Sequence, residues 1–163
     1  MSEFTTPAFG TTTGAQAYEF LDTTSFVRVP SEATDGHHSV VEMRLREGHA
    51  PPMHVHERAD EVIHVVDGEL EAHTPDGVIV VAAGGSIVFP RGEEHSLVAR
   101  EETTIVTSAT PGGFDEFVKT AGEPTDDESV PSRPPDEDAI DRVMEAAPVH
   151  GIDIVGPPPG GSQ

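Results

Sequence analysis

Between residues 39 and 109 the apolar residues come in short runs, and a turn signal interrupts them about every ten residues. From Ser39 to Arg46, Val41, Met43 and Leu45 fall on one side, while Glu42, Arg44 and Arg46 fall on the other. That period of two predicts a strand with one buried face. Glu61 to Val66 repeats the pattern, with Ile63 and Val65 beside Glu61 on one face and Val62, His64 and Val66 on the other. Phe26–Val29, Glu69–His73, Val78–Ala82, Ser86–Phe89, His95–Ala99 and Thr103–Ala109 are further candidates. Asp67-Gly68 predicts a tight hairpin, and Thr74-Pro75-Asp76-Gly77, Gly84-Gly85 and Pro90-Arg91-Gly92 predict further turns. Short strands at this spacing imply an all-β chain, an antiparallel sandwich or barrel. No internal repeat is present, so one barrel is expected and not two.

Two short C-terminal helices are expected after the strands. Phe114, Phe117, Val118 and Ala121 keep the i, i+3, i+4, i+7 spacing, and so do Ile140, Val143, Met144 and Ala147. Pro134-Pro135-Asp136 is a start signal for the second helix and Pro148 a stop. The chain then divides into a Thr/Gly/Pro-rich arm over 1–16, the barrel over 17–112, a section over 113–155 and a tail over 156–163. The section over 113–155 holds the helices, an acidic linker and a short strand.

Charge excludes several functions. Nine Lys and Arg stand against thirty Asp and Glu, a formal net charge of -21. Nucleic acid and anionic membrane are therefore not expected partners. Lys119 is the only lysine, and the acids are spread along the whole chain. Such an acidic, lysine-poor composition resembles proteins of halophilic archaea, where salt screens the self-repulsion. No cysteine is present, which excludes disulfides and thiolate metal sites. No apolar run reaches the ~18 residues of a membrane span. The first residues lack a basic and an apolar region, so a cytoplasmic location is the expectation.

Nine histidines are present, and most are read as surface or satisfied core residues: His37, His38, His64, His73 and His150. His49 belongs with them too, although it lies close enough to the candidate site to support it from behind. His54 and His56 differ, because residues two apart on an extended segment point the same way. Glu61 opens the next strand on its inward face, and His95 opens another beside inward Leu97 and Ala99. Were those strands to pair, three imidazoles and one carboxylate would converge inside one end of the barrel. Such a donor set suits a divalent transition metal (Fe, Mn, Ni, Co, Cu or Zn) and suits magnesium and calcium poorly.

The spacing around these residues carries a resemblance. Gly48, five residues, His54, one, His56, four, Glu61, six, Gly68 resembles the first cupin motif. Gly84, five residues, Pro90, one, Gly92, two, His95 resembles the second. Ala99 stands where the family pattern expects Asn, a position that is not a ligand. The resemblance implies a cupin jelly-roll barrel of two antiparallel sheets, with one divalent metal held by His54, His56, Glu61 and His95. Residues 110–124 and 150–158 resemble the segments after the barrel in single-domain, quercetin 2,3-dioxygenase-like cupins.

The resemblance points to a metal-dependent dioxygenase acting on a small enol or aromatic hydroxyl. Glu61 would be both ligand and catalytic proton acceptor. A small-ligand-binding or sensing cupin and a sugar or keto-acid isomerase are the alternatives. The inward residues Met43, Leu45, Ile63, Val65 and Leu97 include no cation, and Arg91 is the only basic residue near the site. That favours a small apolar or aromatic substrate over a sugar phosphate. Phe89, Phe114 and Phe117 either line an apolar mouth or pack the core. The outward Val62, Val66 and Val98 are apolar and need a cover. The strand around Phe26–Val29 and the helix Ile140–Met144 could supply it, or a second copy in a homodimer, as cupins often form.

Overall fold

The computed structural model describes residues 3–160. Seven antiparallel strands form one sheet, in the order β11 (Glu123–Thr125), β1 (Ala17–Phe20), β2 (Thr23–Val29), β3 (Ser39–Leu45), β10 (Thr103–Thr110), β5 (Asp60–Asp67) and β8 (Ser86–Phe89). Facing it lie β7 (Gly77–Ala82), β6 (Glu69–Thr74) and β9 (Ser96–Ala99), then β4 (Met53–His56) and β12 (Ile152–Gly156). A bridge between His54 and His95 joins β4 to the strand that continues as β9. The result is a two-sheet jelly roll.

Alternation decides what is inside. Val41, Met43 and Leu45 on β3 are buried, as are Ile105, Thr107 and Ala109 on β10 and Ile63 and Val65 on β5. Leu70, Ala72, Leu97 and Ala99 answer them from the opposite sheet. Each large aliphatic side chain buried this way contributes roughly 1.5–3 kcal/mol.

Asp67-Gly68 is not a hairpin, contrary to the expectation. β5 pairs with β8 and β10, whereas β6 pairs with β7 and β9. Gly68 carries the chain from one sheet to the other at φ 90. A Cβ there would lie 2.4 Å from Thr103 Oγ1 and 2.7 Å from the Glu102 carbonyl oxygen. The dipeptide signals positive φ, which serves a crossing as well as a return. Both flanking strands have an apolar face, and the crossing sets those faces opposite each other across the core. The Thr74–Gly77 turn does close a hairpin, between β6 and β7.

Helices α1 (Phe114–Ala121) and α2 (Glu137–Ala146) pack together at one end of the barrel. The Asp136 carboxylate caps α2 by accepting from the Ala139 amide at 2.8 Å. Neither α2 nor β2 covers the outer face of β5. The chain places β2 inside the seven-stranded sheet, between β1 and β3, and turns α2 onto α1. Val62, Val66 and Val88 therefore remain 38%, 52% and 58% exposed.

Candidate metal centre

His54 and His56 stand two apart on β4, so both rings project from one face. The backbones of His54 and His95 exchange hydrogen bonds, 3.0 Å from the His54 amide and 2.9 Å from the His95 amide. That rung brings the third ring beside the first, with centroids 4.6 Å apart. One nitrogen from each of His54, His56 and His95 lies within 4.8 Å of the others, and this trio could hold a metal ion. Glu61 arrives from β5 in the opposite sheet. Its Oε2 is 2.8 Å from His56 Nε2 and its Oε1 is 3.7 Å from His95 Nε2. All four residues chosen from the sequence thus meet at one place.

Local bonds orient two of the rings. His54 Nδ1 donates to the Pro52 carbonyl at 2.7 Å, and His95 Nδ1 donates to the Glu93 carbonyl at 3.0 Å. Each is thereby held as the tautomer whose Nε2 carries the lone pair. Phe89 stacks on the His95 ring, centroids 3.9 Å apart and planes 5° apart, and fixes its tilt. His95 Nε2 is buried and has no hydrogen-bond partner among the described residues. An orphaned buried polar atom costs on the order of 1–3 kcal/mol. A metal at this point would satisfy it, so the residues present fit the group.

Electrostatics favour the same use. Burial, helped by the neighbouring His95 and His56, pulls the His54 pKa down to about 4. The ring is therefore neutral and able to donate its lone pair at neutral pH. Burial alone would raise the Glu61 pKa, but His56, bonded to its carboxylate, and the nearby His95 hold it well below the usual carboxylate range. Burial would lower the His56 pKa, and Glu61 outweighs it and raises it.

Of these donors, His54, His56 and Glu61 line a cavity of about 70 Å³. Its walls are mainly apolar, with Met43, Leu45, Ile63 and Leu97 from the sheets and Phe114 and Phe117 from α1. Phe89 backs His95 and does not line the space. Among the described residues no Lys or Arg lines it, and Arg91 is turned to Asp60, with Nε 3.1 Å from Oδ1. His64 is exposed, while His73 is half-buried and bonded to Glu71. His49 is different: it is buried, lines the cavity and bonds to Asp22. Its closeness to the motif hinted at this position, but no sequence signal points to Asp22 as its partner.

The Cupin domain family model matches residues 41–108, a span that contains His54, His56, Glu61 and His95. None of the curated protein sequences is significantly similar to this chain. Among solved structures, KdgF from a Halomonas species superposes with a TM-score of 0.61 at 19% identity, over 68% of this chain and 99% of that one. An RmlC-like cupin from Shewanella frigidimarina gives 0.60 at 18% identity, over 68% and 96%. A variant of oxalate decarboxylase from Bacillus subtilis gives 0.58 at 19% identity, over 70% of this chain and 32% of that one. At such identities the likeness speaks for the fold. Residues 41–108 accordingly resemble the Cupin domain family, and the two-sheet barrel that carries the histidine trio has the cupin jelly-roll fold.

Proposed function

We propose that His54, His56, Glu61 and His95 hold one divalent transition metal, and that the protein is a dioxygenase acting on a small enol or aromatic hydroxyl. The observation that carries the reading is the orphaned Nε2 of His95, buried among two further imidazoles and a carboxylate. Three nitrogens and one oxygen suit Fe, Mn, Ni, Co, Cu or Zn. When bound, such a metal supplies Lewis acidity and, where redox-active, an electron path to oxygen. The chain supplies the rest. Phe114, Phe117 and the aliphatic wall exclude water, and the lack of a cation disfavours phosphorylated substrates. The mainly apolar wall favours a small apolar or aromatic enol within the quercetinase-like class suggested by the sequence resemblance.

The test is metal analysis of protein purified in molar KCl, followed by an oxygen electrode with small enols and flavonols. We expect one equivalent of metal, and oxygen uptake that a chelator stops. Metal without oxygen uptake would move the reading to a binding or isomerising cupin.

We also propose a homodimer through the outer face of β5 and β8. Val62 pairs with Val88 and with Ser108, and His64 pairs with Ser86 and with Val106, so this outward patch carries no charge. In a chain of net charge -21 an uncharged patch marks a surface that needs a cover. In the salt-adapted reading the dimer tightens as ionic strength rises. Light scattering in molar KCl should give twice the chain mass, and a single species of monomer mass would remove the proposal.

A further inference from the structure

Beyond His54, His56 and Glu61, the cavity wall holds two polar side chains among the described residues, His49 and Thr107. Thr107 directs its hydroxyl to Met43 Sδ at 3.7 Å. That leaves His49 as the other polar group in the wall, and its ring offers a nitrogen lone pair. Its backbone is fixed on both sides, the amide donating to the Arg46 carbonyl at 2.9 Å and the carbonyl accepting from Ala99 at 3.0 Å. Its Nδ1 donates to Asp22 Oδ1. The other Asp22 oxygen faces Arg46 Nε at 2.9 Å. Asp22 and His49 are both buried. Burial opposes ionisation of Asp22, yet His49 and Arg46 keep its pKa low. With Nδ1 committed to Asp22, Nε2 is the ring nitrogen left for the cavity.

We propose that His49, positioned by Asp22, is the proton acceptor of the cavity for an enol or hydroxyl ligand bound at the candidate metal centre. This deepens the reading above and rests on it. The step is a simple transfer. The ligand O–H bond breaks and its electron pair stays on oxygen. The proton bonds to the Nε2 lone pair of His49. The imidazolium so formed faces the Asp22 carboxylate, and Arg46 on the far oxygen keeps Asp22 ionised. When the ligand leaves, the proton returns. The groups facing His49 are Asp22 and Arg46 behind it, and His54, His56 and Glu61 across the shared cavity. The resemblance assigns this proton role to Glu61, whose two oxygens are directed at His56 and His95. A buried His–Asp pair is costly where apolar packing would serve, and a proton-accepting role explains its place in this wall.

The test uses the full chain loaded with zinc, and acetohydroxamic acid as a ligand that must lose a proton to bind. Calorimetry in buffers of different ionisation enthalpy counts the protons passed to solvent, at a pH above the ordinary histidine range. The wild type should pass none, because His49 keeps the proton. His49→Asn retains an N–H for Asp22 but cannot titrate, and should pass one proton per hydroxamate at unchanged zinc content. Equal counts in the two proteins overturn the inference and return the role to another group. Absence of zinc binding in the wild type overturns the metal centre and this inference together. If His49→Asn fails to fold, nitrogen NMR of histidine-labelled wild type counts imidazolium rings before and after the ligand. One additional imidazolium supports the inference, and an unchanged count overturns it.

Discussion

Four histidines of the barrel strands form two pairs with opposite surroundings. His54 and His95 each fix Nδ1 on a main-chain carbonyl two residues earlier, at Pro52 and Glu93, and keep Nε2 free inside the barrel. His64 and His73 lie on strands of the same barrel, yet their ring nitrogens go to Ser86 and Glu71. Residue type is therefore a weak guide. What separates the groups is the parity of the strand position and the anchoring of the nitrogen that points away from the site. An anchored ring presents one lone pair in one direction, whereas a surface ring is a solvated polar group.

The strongest way to break this comparison is to remove two anchored rings. His54→Ala with His56→Ala should take metal content from one equivalent to none by elemental mass spectrometry, and unchanged content would end the assignment. Glu61→Gln keeps the shape and removes the charge. Losing an outer partner costs ~10–100-fold in metal affinity, and the loss of a direct donor should exceed that, as read by competition with a chelator. An unchanged affinity would place Glu61 outside the donor set. The next effect is global. With a net charge of -21, the melting temperature should climb from dilute buffer to molar KCl as repulsion is screened, and a flat profile would make the acidity incidental. The smallest effect sharpens the contrast. His73→Ala should change stability by no more than ~0.5 kcal/mol in chemical denaturation and leave metal content unchanged. Metal lost from that variant would mean the two groups are not separate.

Much of the barrel was legible because alternation survives wherever one face is dry. β3 and β5 could be read residue by residue, and the spacing from His54 to Glu61 and from Gly84 to His95 marked the centre. β1 was not legible, since Ala17-Tyr18-Glu19-Phe20 is too short to show a period, and β11 lies within the acidic segment read as a linker. The crossing at Gly68 was misread because a dipeptide reports a local angle and not which strand comes next. The His49–Asp22 pair was out of reach for another reason. Twenty-seven residues separate its members, and burial is a property of the assembled sheets.

The rung between His54 and His95 has a mechanical consequence. Three of the four donors belong to one sheet, and two of those share a pair of backbone hydrogen bonds, so they move as one body. Glu61 belongs to the other sheet. An ion held by all four would act as a rivet through the sandwich, loaded in shear whenever the sheets slide. The lifetime of the ion in the protein would then report on the breathing of the barrel as well as on the strength of each bond.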